Sequence, residues 1–161
     1  MTLQRSLLGI AVVVISVFFL AYSGTVWAAS SSTGVMVYQH GQPIDDSDFI
    51  DITSQIPALG GILLEGDPIL KIRFDSPPAP DATTAHGVFE QINPAKFRII
   101  FPFDEHMQVI HGVLKITNSA GEVFHLTPGD SYFIAQGSVV LWEVLTTVFQ
   151  KSFYNFKHTD R

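Results

Sequence analysis

Two carboxylates and two histidines lie close together in residues 101–112, which read FPFDEHMQVIHG. Asp104 and Glu105 are adjacent, and His106 and His111 follow within six residues of Glu105. Carboxylate oxygens and imidazole nitrogens bind divalent metals in proteins, and the same groups act as general acids and bases. The residue types alone therefore leave three interpretations open: a metal site, an acid/base site and a solvated sheet edge.

Strand geometry narrows this choice. The apolar, β-leaning character of residues 105–110 predicts a strand, in which neighbouring side chains point to opposite faces. Glu105 and His106 then face opposite ways. His111 shares a face with Glu105 but lies about 20 Å along the strand, at about 3.3 Å per residue. We therefore expect exposed or edge positions for the histidines other than His86 and His106: His40, His111, His125 and His158.

Short strand-like segments follow one another along most of the chain. They are separated by Gly, Pro, Asn and Asp at intervals of about ten residues, a pattern that predicts an antiparallel sandwich or barrel. No window after residue 29 has convincing helical periodicity. Residues 76–84, SPPAPDATT, contain three prolines and predict a surface loop. The predicted strands are residues 34–40, 71–75, 87–92, 96–101, 105–110, 113–117, 122–126, 131–134, 139–145 and 148–156.

The N-terminal segment, residues 1–28, predicts a secretory signal peptide. Arg5 precedes an apolar run over residues 7–22, and small or apolar residues at Val26 and Ala28 predict cleavage after Ala28. The run is shorter than the roughly 20 residues of a spanning helix, although an uncleaved membrane anchor is the alternative. We expect an exported protein, periplasmic or secreted, with one domain over residues 29–161.

The composition argues against two classes of partner. The chain has 15 acidic and 9 basic residues, a net charge of −6. Arg5 is the one charged residue among the first 28, so cleavage changes the net charge to −7. This sign disfavours nucleic acid and anionic membrane surfaces as partners, so any membrane contact is expected only through an uncleaved N-terminal segment. Without cysteine, stability must come from the apolar core.

A set of short sequence marks occurs in a fixed order between residues 66 and 151. The marks are Gly66-Asp67-Pro68, the Asp104–Glu105 pair, Gly112 seven residues after Glu105, the Pro128-Gly129-Asp130 turn, Gly137, Trp142-Glu143-Val144 and Lys151. Together they resemble the cupin superfamily, and within it the small cupins similar to ureidoglycine aminohydrolase and ethanolamine-utilisation proteins. Asp130 is read as turn chemistry, without a catalytic role.

The resemblance implies an all-β fold, an antiparallel jelly-roll β-barrel with a central cavity. Cupins usually bind a metal through two histidines and a glutamate in a first motif and one histidine in a second. Glu105 and Gly112 keep the spacing of the first motif. One carboxylate alone does not hold a divalent ion, because catalytic sites of this type use three protein ligands, so we expect no metal and no other cofactor. The histidine positions carry other residues: Ile99 and Phe101 or Arg98 and Ile100 in the first motif, and Val140 in the second.

The same resemblance places Glu105 on the cavity wall. A buried carboxylate requires a cation, and Lys151, which shares a strand face with Phe149 and Phe153, is the candidate. We predict Glu105 as a general acid/base and Lys151 as its charge partner; the alternative is a buried pair with a purely structural role. Trp142 is expected to point inward in preference to Glu143, since an indole suits a cavity wall. The predicted ligand-binding residues are Phe89, Glu90, Phe101, Met107, Tyr132 and Trp142.

These features predict an exported cupin that binds a small polar organic molecule. Its site would support metal-independent hydrolase, lyase or isomerase chemistry. Two alternatives remain open: a non-catalytic ligand-binding or accessory module, and a metal-dependent enzyme similar to ureidoglycine aminohydrolase with an atypical ligand set. A homodimer is expected, because an unpaired sheet edge favours association and many cupins pair through such edges.

Overall fold

A computed structural model describes residues 38–44, 48–75 and 82–157 of the chain. Within these ranges, no helix is both long enough and apolar enough to cross a membrane. The described residues are almost entirely β-structure, with a single three-residue 3-10 helix at Thr53–Gln55. The strands are β1 (Ile50–Asp51), β2 (Gly61–Gly66), β3 (Ile69–Phe74), β4 (Thr84–Ile92), β5 (Ala95–Ile100), β6 (Asp104–His111), β7 (Leu114–Thr117), β8 (Val123–Leu126), β9 (Ser131–Ile134), β10 (Val139–Val144) and β11 (Val148–Phe156).

The strands form two antiparallel sheets that share one apolar core. The first sheet has the order β1-β3-β4-β11-β6-β9, and the second has the order β2-β5-β10-β7-β8. Phe153 of the first sheet and Phe97 of the second belong to the same buried cluster. The predicted barrel is not closed, because no described strand pairs across the two sheets. Three of the four end strands are short, with two residues in β1 and four each in β8 and β9. Inter-strand hydrogen bonding within each sheet ends at these end strands.

Alternation along the strands decides which side chains enter the core. In β6, Glu105 and Met107 are buried while His106 between them is exposed. In β10, Trp142 is buried while Glu143 is partly exposed and lies 3.0 Å from the Lys115 ammonium. The predicted opposite orientations of Glu105 and His106 are confirmed, as is the choice of Trp142 over Glu143.

Asp104, the other half of the carboxylate pair, anchors a turn. It is 4% exposed, and its Oδ1 accepts a hydrogen bond from the Gln136 backbone amide at 2.6 Å. Asp130 has a similar role: its Oδ2 accepts hydrogen bonds from the Thr127 amide and hydroxyl at 2.7 and 3.0 Å. These bonds hold the pKa of the Asp130 carboxyl below its usual value. The interpretation of Asp130 as a turn residue is confirmed.

Residues 38–44 cross the face of the first sheet that lies opposite the shared core. The Gly41 amide donates to the Ile110 carbonyl at 2.7 Å. Further along, the Gln150 side chain accepts from the Ile44 amide at 2.7 Å and donates to the Ile44 carbonyl at 3.1 Å. At the other end, the Tyr38 hydroxyl donates to Asp75. This crossing segment explains why fully buried polar side chains lie on that face of the sheet.

Several predicted elements differ from the observed ones. β1 and β2 were not predicted as strands, and residues 38–40 of the predicted first strand are not in a strand. Residues 34–37, the predicted signal segment at 1–28 and His158 lie outside the described residues. Of the other histidines expected to be exposed or at an edge, His40 and His125 are exposed, while His111 is half-buried with its Nδ1 3.3 Å from the Gly41 carbonyl oxygen.

Candidate ligand-binding site

A cavity of about 230 Å³ lies between the two sheets. Most of its wall is apolar, and the described residues that line it include just three charged side chains, Glu105, Lys151 and Lys157. Binding sites for small molecules are commonly apolar concavities with few polar groups. The apolar and aromatic part of the wall comprises Ile52, Ile56, Leu59, Leu70, Ile72, Phe74, Phe89, Phe97, Ile99, Phe101, Phe103, Trp142, Phe153 and Phe156.

Glu105 and Lys151 form an ion pair on this wall. Lys151 Nζ donates to Glu105 Oε1 at 2.5 Å, and the two residues are 6% and 4% exposed. They lie on neighbouring antiparallel strands, β11 and β6, at inward positions. Burial lowers the pKa of Lys151, and the Glu105 carboxylate opposes part of that shift. The predicted pairing of Glu105 with Lys151 is therefore present.

Aromatic rings surround the ammonium group of Lys151. Its Nζ lies 4.7 Å from the Trp142 ring centroid and 5.2 Å from the Phe89 ring centroid. Both distances allow a cation–π attraction, which favours the charged amine. Phe101 packs against Trp142 with ring centroids 6.5 Å apart. Phe89, Phe101 and Trp142 thus lie where the sequence placed them, on the cavity wall.

Tyr132 and Met107 lie behind the lining residues. The Tyr132 ring centroid is 6.5 Å from that of Trp142, and its hydroxyl is buried without a hydrogen-bond partner among the described residues. Burial, with a smaller effect of the Glu105 carboxylate, raises the pKa of Tyr132 well above its usual value. Met107 is fully buried and its sulfur contacts Lys151 Nζ. Both residues therefore support the ion pair from behind the wall.

Glu90 was predicted as a ligand-binding residue, but it does not line this cavity. Phe89 points into the cavity, so its neighbour Glu90 points to the opposite face of the sheet. There Glu90 Oε2 accepts a hydrogen bond from Gln150 at 2.7 Å, and its Oε1 lies 3.5 Å from the Lys71 ammonium. Glu90 thus belongs to the polar group beneath the crossing segment of residues 38–44.

Two amide side chains on the wall were not predicted. Gln91 is fully buried, and its Oε1 has no hydrogen-bond partner among the described residues, whereas its Nε2 donates to the Asn93 carbonyl at 3.1 Å. Asn155 lies directly opposite Glu105 in the β6–β11 pairing, and within the described part of the chain its buried Oδ1 also lacks a hydrogen-bond partner. A usable signal existed for Gln91, because it shares strand parity with Phe89.

The wall does not fit the metal that most cupins hold. Ile99 and Phe101, one of the two residue pairs that the resemblance assigns to the first-motif histidines, line the cavity, and Val140, assigned to the second motif, is buried. Glu105 already contacts the Lys151 ammonium, which repels a metal cation. Among the residues that the structure describes, no three His, Asp or Glu side chains are grouped to hold a metal ion.

Comparison with known proteins identifies the class of domain. Residues 78–153 match a family model described as "EutQ-like cupin domain". Residues 78–153 therefore carry a cupin domain. No curated protein gives a significant match.

Solved structures of other proteins are similar to this chain at low sequence identity. A protein of unknown function of the DUF861 family from Pseudomonas syringae pv. tomato is 21% identical, with a TM-score of 0.52. The match covers 58% of this chain and 39% of that one, and it supports a common fold alone. The EutQ protein of Clostridium difficile is 18% identical over 70% of this chain and 98% of its own, with a TM-score of 0.47.

Proposed function

We propose that this domain binds a small organic molecule between its two sheets and holds the molecule's polar group against the Glu105–Lys151 pair. The observation that carries this proposal is a mostly apolar cavity with one buried ion pair on its wall. The sequence predicted a polar ligand. The apolar lining instead favours a molecule that is apolar over most of its surface, because burying unpaired polar groups there is unfavourable.

The cavity volume indicates the size of the part of a ligand that the two sheets can enclose. About 230 Å³ corresponds to roughly eight groups of water size, at about 30 Å³ each. This is below the roughly 300–1,000 Å³ of sites for drug-sized molecules. A ligand the size of a substituted six-membered ring or a short branched chain fits this space.

Trp142 provides a direct test of binding because its indole lies on the cavity wall. In a Trp27→Phe variant, Trp142 is the one remaining tryptophan, since the chain has two. Titration with small cyclic alcohols, ketones and carboxylic acids should change its fluorescence saturably for at least one class. An Ile99→Phe substitution fills the cavity and should weaken that binding about tenfold or more. The same change at Ile62, which is 56% exposed on β2, should leave it unaltered.

The ion pair also favours a second candidate, metal-independent acid/base catalysis on the bound molecule. The Glu105 carboxylate would accept a proton from the ligand and the Lys151 ammonium would donate one, which is the division of roles in hydrolase, lyase or isomerase chemistry. For any compound that the protein converts, Glu105→Gln should lower kcat about 100-fold or more and leave binding largely intact. Retained turnover in a folded Glu105→Gln variant favours the non-catalytic, accessory role.

The finer family assignment is part of this proposal. The match to a EutQ-like cupin model supports the branch of small cupins that includes ethanolamine-utilisation proteins. The metal-dependent, ureidoglycine aminohydrolase-like alternative has a direct test in elemental analysis of untagged protein. A full equivalent of Mn, Fe, Ni or Zn that resists dialysis would support it, and less than about a tenth of an equivalent would remove it.

We also propose that the exported domain forms a homodimer through an edge of the second sheet. β2 is an end strand, and three consecutive residues on it, Ile62, Leu63 and Leu64, are 40–56% exposed. An apolar edge strand of this kind favours pairing with a second chain. Light scattering coupled to size exclusion should give twice the chain mass at tens of micromolar, and Leu64→Lys should give the monomer mass.

A further inference from the structure

Gln91 carries a buried acceptor that the folded chain leaves unused. The residue is fully buried on β4, and its Oε1 has no hydrogen-bond partner among the described residues. Its Nε2 is already committed to the Asn93 carbonyl, so the amide cannot turn without losing that bond. A buried acceptor without a donor is uncommon in native proteins and unfavourable for folding.

The surroundings of Gln91 argue against water as its partner. Its two cross-strand neighbours are Leu70 and Phe149, and Leu70 also lines the cavity. Ile52, whose amide donates to the Leu70 carbonyl, adds a further apolar wall. A buried water is stable when it makes two to four hydrogen bonds. Beside Gln91 these side chains offer it no second partner, so a donor carried by the ligand is the better match.

Resting on the proposed binding function, we infer that the ligand carries a hydroxyl or N–H donor that hydrogen-bonds to Gln91 Oε1. Gln91 is two residues along β4 from Phe89, whose ring lies beside the Lys151 ammonium. At about 3.3 Å per residue, that places Gln91 about 7 Å along the sheet from Phe89. A ring-sized molecule can therefore contact the ion pair at one end and Gln91 at the other. The ligand class is a small apolar alcohol, phenol or amide.

Matched probes separate this inference from the binding proposal. Phenol carries a donor, and anisole is the same ring with that donor capped by a methyl group. Calorimetric titration of the full chain should give an affinity about tenfold higher for phenol than for anisole, which corresponds to one unmade hydrogen bond of about 1.4 kcal/mol. Gln91→Leu should abolish this preference, whereas Gln108→Leu, on the opposite face of β6, should preserve it.

Each outcome has a defined meaning. If phenol and anisole bind equally well to the unaltered protein, the donor inference is overturned and the binding proposal stands. If neither binds at millimolar concentration, the inference fails, and the fluorescence titration of Trp142 decides whether the binding proposal fails with it. The comparison in the unaltered chain does not depend on how Gln91→Leu folds. A preference for phenol that persists in a folded Gln91→Leu variant assigns the donor to another residue and also overturns the inference.

Discussion

Removing the positive charge of Lys151 should destabilise the domain strongly. In Lys151→Met the flexible apolar stem is kept, but Glu105 becomes a 4%-exposed carboxylate without its cation. Breaking a buried pair on one side costs about 3–5 kcal/mol. The cation–π contacts of the ammonium with Trp142 and Phe89 are lost as well. That loss is a large fraction of the roughly 5–15 kcal/mol by which small domains are stable.

Chemical denaturation with a double-mutant cycle measures this effect. Lys151→Met alone should lower the free energy of unfolding by about 3–5 kcal/mol, a fall in Tm of roughly 10–20 °C. Adding Glu105→Leu should restore most of the loss, because replacing both charges with apolar groups removes the unpaired carboxylate. Lys96→Met is the control, since the Lys96 ammonium is only partly buried and lies 3.8 Å from Glu143. A loss below about 1 kcal/mol in Lys151→Met, or additive losses in the double variant, would refute the buried-pair account.

Three other substitutions test separate parts of the fold. Gly112→Ala should be far more destabilising than Gly121→Ala, although both glycines have positive φ. A Cβ at Gly112 would lie 2.4 Å from the Val148 carbonyl oxygen, whereas a Cβ at Gly121 would have no heavy atom within 4 Å among the described residues. Equal losses of unfolding free energy in urea denaturation would contradict this crowding. Burial and Asp75 raise the pKa of Tyr38 to about 12, so the contribution of the neutral Tyr38 hydroxyl to stability is complete below pH 10 and is lost between pH 10 and about 12. The difference in unfolding free energy between wild type and Tyr38→Phe should shrink over that range. A constant difference would contradict the raised pKa. Gln150→Leu removes both bonds to the Ile44 backbone, so amide exchange at Ile44 should accelerate at least tenfold; unchanged protection would mean that other contacts hold the segment.

Strand parity explains how much of the site could be predicted. Glu105, Lys151 and Trp142 lie in long strands with clear alternation, so their inward orientation follows from the period of two. The same rule makes it impossible for Phe89 and Glu90 both to face the cavity, and strict use of it selects Gln91 in place of Glu90. Strand parity therefore predicts that Gln91 faces the cavity. That its Oε1 lacks a hydrogen-bond donor among the described residues depends on tertiary contacts, which no local sequence pattern shows.

Other features depended on long-range contacts. β2 has consecutive exposed apolar residues, Ile62 to Leu64, instead of alternation, and its pairing with β5 shifts register between Leu63 and Glu65. The segment 38–44 has no regular structure, and its position is fixed by Gln150, 106 residues away from Ile44. Closure of the barrel depends on pairing between distant end strands. A periodic pattern within one segment contains no information on such partners.

Isoleucine methyl groups allow the most direct test of the central claim, a ligand site between the two sheets. Ile52, Ile72 and Ile99 line the cavity, whereas Ile62 and Ile69 are 56% and 39% exposed outside it. The protein with ¹³C-labelled isoleucine methyls should be titrated with toluene and followed by NMR. We predict saturable shifts at Ile52, Ile72 and Ile99 and none at Ile62 or Ile69. Shifts confined to the exposed residues, or no saturable shift at millimolar toluene, would contradict the claim.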